Sequence, residues 1–231
     1  MRVELQPAFV LHARAYRDTS LIVDLLTLEH GRVGVVARGA RSRKGGMRQK
    51  LSPFQPLLVN FQGRGELKTL TAAELAAVPV FLTGKNLYSA LYINELLMRL
   101  LMPMEPQAAV YAHYQLAIAE LCGEGDDVEP SLRRFEFKLL EQLGYGLDFS
   151  ADAGSGAVLE PAGHYRYVNE TGFLASADMP GHFSGAVLRA LNESDFSDPA
   201  VRRAAKHLSR AAFKPLLGSK PLKSRELFRA P

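Results

Sequence analysis

The stretch AFVLHARAYRDTSLIVDLLTLEHGRVGVVARGA, residues 8–40, decides the fold class. Its runs AFVLHARAY, SLIVDLLTL and RVGVVARGA are short and rich in β-branched and aromatic residues, and a turn signal stands at His30-Gly31. Downstream, PLLVNFQG and ELKTLTAAEL repeat the pattern, set off by Gly45-Gly46, Ser52-Pro53 and Gly63-Arg64-Gly65. Five strands in about 70 residues is the size of a small Greek-key barrel of the OB type. An SH3-like barrel or a small open sheet fits the same pattern nearly as well.

Near Pro79 the period changes. NLYSALYINELLMRLL (86–101) is apolar on almost every face, as a helix at the centre of a bundle would be, and Pro103 and Pro106 end it. AAVYAHYQLAIAELC (108–122) and SLRRFEFKLLEQLG (131–144) follow at helical period, with Gly144 as a C-cap. A Gly- and Ala-rich region at about 150–180 contains HYRYV and GFLAS, a candidate hairpin. SGAVLRALN and DPAVRRAAKHLSRAAFKPLL close the chain as helices, the second with Asp198 at N-cap and Pro199 at N1. The expected architecture is α+β: a barrel domain over residues 1–80, then a helical domain over 81–231 with a small hairpin insertion.

A single cysteine, Cys122, allows neither an internal disulfide nor a Cys-rich metal site, which suits a reducing compartment; the residue reads as a buried structural cysteine. Charges interrupt the apolar residues of the N-terminus, so neither a signal core nor a membrane span is expected, and a cytoplasmic location follows. The net charge of +4 hides an uneven distribution. Residues 1–80 carry 12 basic and 6 acidic side chains, residues 81–199 carry 7 and 17, and residues 200–231 carry 9 and 1. Two basic ends around an acidic middle point to a polyanion met by selected surfaces.

The densest basic stretch is GRVGVVARGARSRKGGMRQK, residues 31–50, with seven cations, five glycines and no carboxylate. Arg32, Arg38, Arg41, Arg43, Lys44, Arg48 and Lys50 lie on a strand and the loop after it, where a small barrel meets single-stranded nucleic acid. Glycine lets the backbone approach a phosphate and the cations displace its counterions, so the segment is expected to touch a phosphate backbone. Base stacking has few candidates here: Phe9, Tyr16, Phe54 and Phe61 stand in the flanking segments and fit core packing better. A second basic surface falls on the last helix, where Arg203, Lys206, Arg210 and Lys214 recur at spacings of 3, 4 and 4, opposite Val201, Ala205, Leu208 and Ala212.

Catalytic patterns are scarce. Neither a P-loop nor a G-x-G-x-x-G occurs, Ser155 lacks a nucleophile elbow, and the six histidines never stand at i, i+4. GEGDDVEP (123–130) reads as a solvated acidic loop more than a metal site. No enzyme, cofactor or metal is therefore expected. The competing readings are a metal-dependent nucleic-acid enzyme using Asp126, Asp127 or Glu129, and an RNA-binding OB protein.

In SLRRFEFKLLEQLG, Phe137 and Leu140 lie off the stripe of Leu132, Phe135, Leu139 and Leu143, four and seven residues after Arg133. An exposed apolar spot beside an arginine would suit a short acidic-apolar peptide ending in a carboxylate; packing against neighbouring helices explains the two residues equally well.

The segments AFVLHARAYRDTSLIVDLLTLEHGRVGVVARGARS, GKNLYSALYINELLMRLL, LRRFEFKLLEQLGYG and LGSKPLKSRELF together resemble, nearly end to end and in order, the RecO family of bacterial DNA repair and recombination-mediator proteins. That resemblance implies an OB domain followed by a helical one. It implies binding to single- and double-stranded DNA, annealing of complementary strands coated by single-stranded DNA-binding protein (SSB), cooperation with RecR in loading RecA, and a nucleoid-associated life in the cytoplasm. Arg38, Arg41, Arg43 and Lys44 match the family's DNA-binding stretch, and an acidic SSB tail as partner strengthens the reading of Arg133, Phe137 and Leu140 as its site. Some members carry a Cys-rich zinc site after LGYG. Here LDFSADAGSGAVLEPAGHYRY has no cysteine, so packing and hydrogen bonds are expected to hold that region, without structural zinc.

Overall fold

A computed structural model describes residues 1–42, 47–123 and 127–228. The chain forms two compact units, Met1–Asp126 with Pro221–Pro231, and Asp127–Lys220. The change of period near residue 80 marks where strands give way to helices. Compactness divides the chain later, because the first two long helices bury their apolar faces against the wall of the barrel.

In the first unit, β1 (Arg2–Tyr16), β2 (Ser20–Thr27), β3 (Gly31–Ala37), β4 (Leu57–Gln62) and β5 (Lys68–Leu75) close into a barrel in the order β1-β2-β3-β5-β4. The pairs are antiparallel except β3 with β5, and this arrangement selects the OB-type barrel over the other small β folds. Alternation fills the interior with Val10, Val23, Leu25, Val33, Val59 and Phe61. Between β3 and β4 the chain makes a single helical turn, α1 (Met47–Lys50).

The outer wall of β1 and β2 is apolar as well, and α2 (Gly84–Leu100) and α3 (Ala108–Leu121) cover it. Phe9 on β1 meets the rings of Tyr111 and Tyr114 at 5.4 and 5.1 Å. β1 shifts register between Val10 and His12, which breaks the ladder there. Buried Asn94 repairs the break: its Nδ2 donates to the carbonyls of Val10 (3.4 Å) and Leu11 (2.9 Å), while its Oδ1 accepts from Tyr114 Oη (2.8 Å). Burial pushes the Tyr114 phenol far above its usual pKa, so it remains a donor. A 3₁₀ turn, Lys223–Phe228, packs on α2 and completes this unit.

The second unit contains α4 (Glu129–Gln142), a three-stranded sheet of β6 (His164–Val168), β7 (Gly172–Ser176) and β8 (Phe183–Ser184), then α5 (Gly185–Asn192) and α6 (Pro199–Leu217). HYRYV and GFLAS form the hairpin that their spacing suggests, and Phe183-Ser184 extends it by one strand. Asp198 caps α6, its Oδ1 accepting from Ala200 N at 2.6 Å, and Gly144 stands past α4 at φ +84°, a conformation open to glycine. Phe149, Phe173, Phe183, Leu188, Leu191 and Leu208 form the centre of the core.

Candidate nucleic-acid interface

Three connections gather beside the upper end of β3. Leu21, the second residue of β2, pairs with Ala37, and Val35 pairs with Lys68, which brings the β1–β2 turn and the β4–β5 loop alongside the segment that leaves β3. Arg41 fastens that segment, its backbone N–H donating to Thr19 O at 2.8 Å and its Nη1 to Arg17 O at 3.4 Å. The β4–β5 loop is closed from within by Lys68, a buried lysine whose Nζ donates to Gly65 O at 2.6 Å. Around this rim Arg17, Arg38, Arg41 and Arg64 are exposed, with Asp18 and Glu66 as the carboxylates of the same loops. The Arg17 guanidinium lies 5.1 Å from the centroid of the half-buried Tyr16 ring, and Arg48 and Lys50 are exposed on α1. Barrels of this type take oligonucleotides on the β2–β3 face and on these two loops. Arg43 and Lys44 lie outside the described residues.

Arg32 departs from the expectation of a free cation. Its Nε donates to Leu101 O at 3.1 Å and its Nη1 stands 3.6 Å from Asp24, with under a fifth of the side chain exposed. Its carbonyl in turn accepts from Met104 N at 2.8 Å. Arg32 therefore ties the segment after α2 to the barrel wall. Gly31 beside it holds φ +61°, and a Cβ there would stand 1.7 Å from the carbonyl oxygen of Glu105.

On α6, Arg203, Arg210 and Lys214 are exposed as expected, and His207 joins them at the position between the first two, giving one stripe along the helix. Lys206 turns toward α4 and pairs with Glu129 at 3.1 Å, as Arg202 pairs with Asp127 at 2.7 Å. Two acidic residues considered as metal ligands thus neutralise the inner edge of α6. Asp126 lies outside the described residues.

The patch on α4 is not the exposed spot its spacing suggested. Leu140 is fully buried and Arg133 is 6% exposed. Arg133 Nη1 donates to Glu136 at 2.5 Å, and Glu136, fully buried, also accepts from Ser209 Oγ of α6 at 2.6 Å. Only one turn separates Arg133 from Glu136, so the pair closes inside the unit instead of facing a partner. Phe137 is half-buried, its ring 5.3 Å from that of Phe149.

The segment without cysteines is organised by a carboxylate. Asp152 Oδ1 accepts from the backbone N–H of Gly154 and Ser155 at 2.8 Å each and from Ser155 Oγ at 3.1 Å, and its Oδ2 accepts from Ala175 N of β7 at 2.5 Å. These hydrogen bonds, Ser155 N–H foremost, hold its pKa below the usual aspartate value. Among the described residues, no group of three or more His, Cys, Asp or Glu is placed to hold a metal ion. Cys122 is exposed at the C-cap of α3, not buried as expected, and partial desolvation pushes its thiol up, the wrong direction for a nucleophile.

Sequence reasoning missed Arg17, Arg64 and His207. The first two stand outside the dense basic run and become part of the rim only because β-pairing folds their turns next to it. His207 stood at helical spacing, but its exposure on the stripe was not read from the sequence. Among the described residues, no helix is long and apolar enough to cross a membrane.

Comparison with known proteins places the chain among relatives along its whole length. Residues 1–79 match the family model "Recombination protein O N terminal" and residues 82–226 match "Recombination protein O C terminal". A protein of Enterobacter sp. (strain 638) called DNA repair protein RecO is 50% identical over 225 residues, covering 97% of this chain and 96% of its own. One of Haemophilus influenzae (strain 86-028NP) with the same name is 50% identical over 229 residues, 99% and 97%. A third, from Shigella flexneri, is 49% identical over 225 residues, 97% and 93%.

Proposed function

The chain belongs to the RecO family of DNA repair and recombination proteins, and from that membership and the surfaces above we propose that it is a non-catalytic recombination mediator. It binds single- and double-stranded DNA, anneals complementary strands coated by SSB, and acts with RecR to help load RecA. The observation that carries the reading is the rim of an OB-type barrel bearing Arg17, Arg38, Arg41 and Arg64 in the open, with Arg43 and Lys44 in the same stretch of sequence. Cations there and on the α6 stripe neutralise phosphates on two strands and so lower the repulsion that opposes their pairing. This requires no bond making or breaking by the protein. For the acidic tail of SSB, Phe137 is the part of the α4 patch within a peptide's reach, Arg133 and Leu140 being buried.

The test is a titration with labelled oligonucleotide at several salt concentrations, alongside annealing of SSB-coated strands. With about six phosphates contacted, affinity falls roughly 10³- to 10⁵-fold between 50 and 200 mM salt. A salt slope near zero would reject the reading, and cleavage of the DNA in Mg²⁺ would replace it with an enzyme.

A further inference from the structure

The most exposed aromatic ring of the described residues lies far from the dense basic run in sequence. Phe81 is 87% exposed, and Val78, three residues before it, is 84% exposed. Together they put two bulky apolar side chains in water within four residues, and exposed apolar surface of this kind is where a binding site is sought.

The ring is not displayed on a loose strand. Residues 76–80 are sewn to the turn that follows α1 by three hydrogen bonds. Ala76 N donates to Pro56 O at 2.8 Å; Gln55, 7% exposed, donates from Nε2 to Val80 O at 2.7 Å and accepts at Oε1 from Val80 N at 2.9 Å. The side-chain amide of Gln55 thus mimics a neighbouring β-strand for the residue before Phe81. Pro79 fixes its own φ and disfavours helical geometry at Val78. On the other side α2 starts at Gly84, its first turn closed by Leu87 N to Thr83 O at 3.2 Å. Phe81 is therefore held between two anchored segments, and displaying it costs little ordering entropy at the moment of binding.

The charged residue nearest to it in sequence is a cation. Lys85, four residues on, is exposed, and α2 has no acidic residue in its first turn. The Gln55 clamp is five residues from Lys50 and seven from Arg48, so these α1 cations stand within about 18 and about 25 Å of chain from the clamp. α1 also packs on β5, the strand that leads into residues 76–81.

We propose that Phe81 is a base-stacking platform for single-stranded DNA, with Lys85, Arg48 and Lys50 serving the adjoining phosphates. This rests on the DNA-binding reading above and adds to it what the basic loop lacks, a flat side chain on which an unpaired base can lie. Stacking tolerates any base, since each has a π-face, and it distinguishes an unpaired strand from a duplex, whose bases already stack on one another.

Two substitutions at this exposed position test it in the full chain. Phe81→Ala is expected to weaken binding of a labelled oligothymidylate roughly 5- to 150-fold, with the salt slope unchanged and duplex affinity within about twofold. Phe81→Trp is expected to preserve affinity and, because the chain has no tryptophan of its own, to report stacking directly as quenching of its emission by the oligonucleotide. Wild-type affinity in Phe81→Ala, or emission from Phe81→Trp that saturating oligonucleotide does not move, overturns the assignment and leaves the ring to a protein partner. Absence of salt-dependent DNA binding by the unmodified chain would instead sink the DNA reading and this inference together.

Discussion

Arg133 and Glu136 show how one residue's environment reverses its reading. A buried ion pair contributes little beyond what apolar residues would, but removing one partner strands the other's charge. Arg133→Ala is therefore expected to destabilise the second unit by roughly 3–5 kcal/mol, seen as faster hydrogen exchange of the α4 amides. Arg133→Leu with Glu136→Leu should recover most of the loss, and a single substitution without effect would show that the pair contributes nothing to stability. Among the described residues Arg133 Nε is buried without a hydrogen-bond partner, a cost this site bears already. Arg32 separates structure from binding in the same manner. Arg32→Ala should loosen residues 101–104 while leaving the salt slope of DNA binding unchanged, since its guanidinium is held by Asp24 and Leu101.

Among the elements, two carboxylates each fasten a segment to its neighbour by accepting from backbone N–H groups. Glu95 on α2 accepts from Lys223 N at 2.9 Å, Ser224 N at 2.8 Å and Ser224 Oγ at 2.6 Å, and so docks the C-terminal 3₁₀ turn. Burial raises its pKa, but the Ser224 and Lys223 hydrogen bonds together outweigh burial, and the folded value lies below the ordinary glutamate range. The sign follows: the docking energy is complete above the pH at which an unfolded glutamate ionises and is lost as pH falls through the lower folded value. Limited proteolysis across that range is expected to cut near residues 221–228 increasingly as the solution is acidified. Glu95→Gln should be cut at neutral pH and lose this acid dependence. Asp152 serves the β7 region likewise. Asp152→Ala leaves four donors without their acceptor and is expected to expose residues 150–157 to exchange, whereas the α4 amides stay protected.

For the whole molecule, the basic surfaces fall on different units, the rim on the first and the α6 stripe on the second. If both engage phosphates, Arg38→Glu with Arg41→Glu and Arg210→Glu with Lys214→Glu should each lower the salt slope by about two. The combined variant should then fail to anneal, because pairing needs charge neutralised on both strands. Unchanged slopes in one pair would confine DNA to the other unit. Lys206→Ala, at a position already paired with Glu129, should change the slope little.

Periodicity and composition alone determined the alternating strands, the helices after residue 80, the cap at Asp198, the hairpin and the excess of cations, since each is a local pattern carried by neighbouring residues. The closure of the barrel, which selects the OB type, depended on β3 lying parallel to β5, a pairing between strands about thirty residues apart that no local signal encodes. The same holds for the site. Arg38, Arg41, Arg203, Arg210 and Lys214 were legible because exposure follows from their place in a pattern. Whether Arg32, Arg133 and Lys206 are free was decided by Leu101, Glu136 and Glu129, partners supplied by tertiary packing. Phe81 was invisible for the converse reason: a lone aromatic in a linker reads as core until the fold leaves it nothing to pack against.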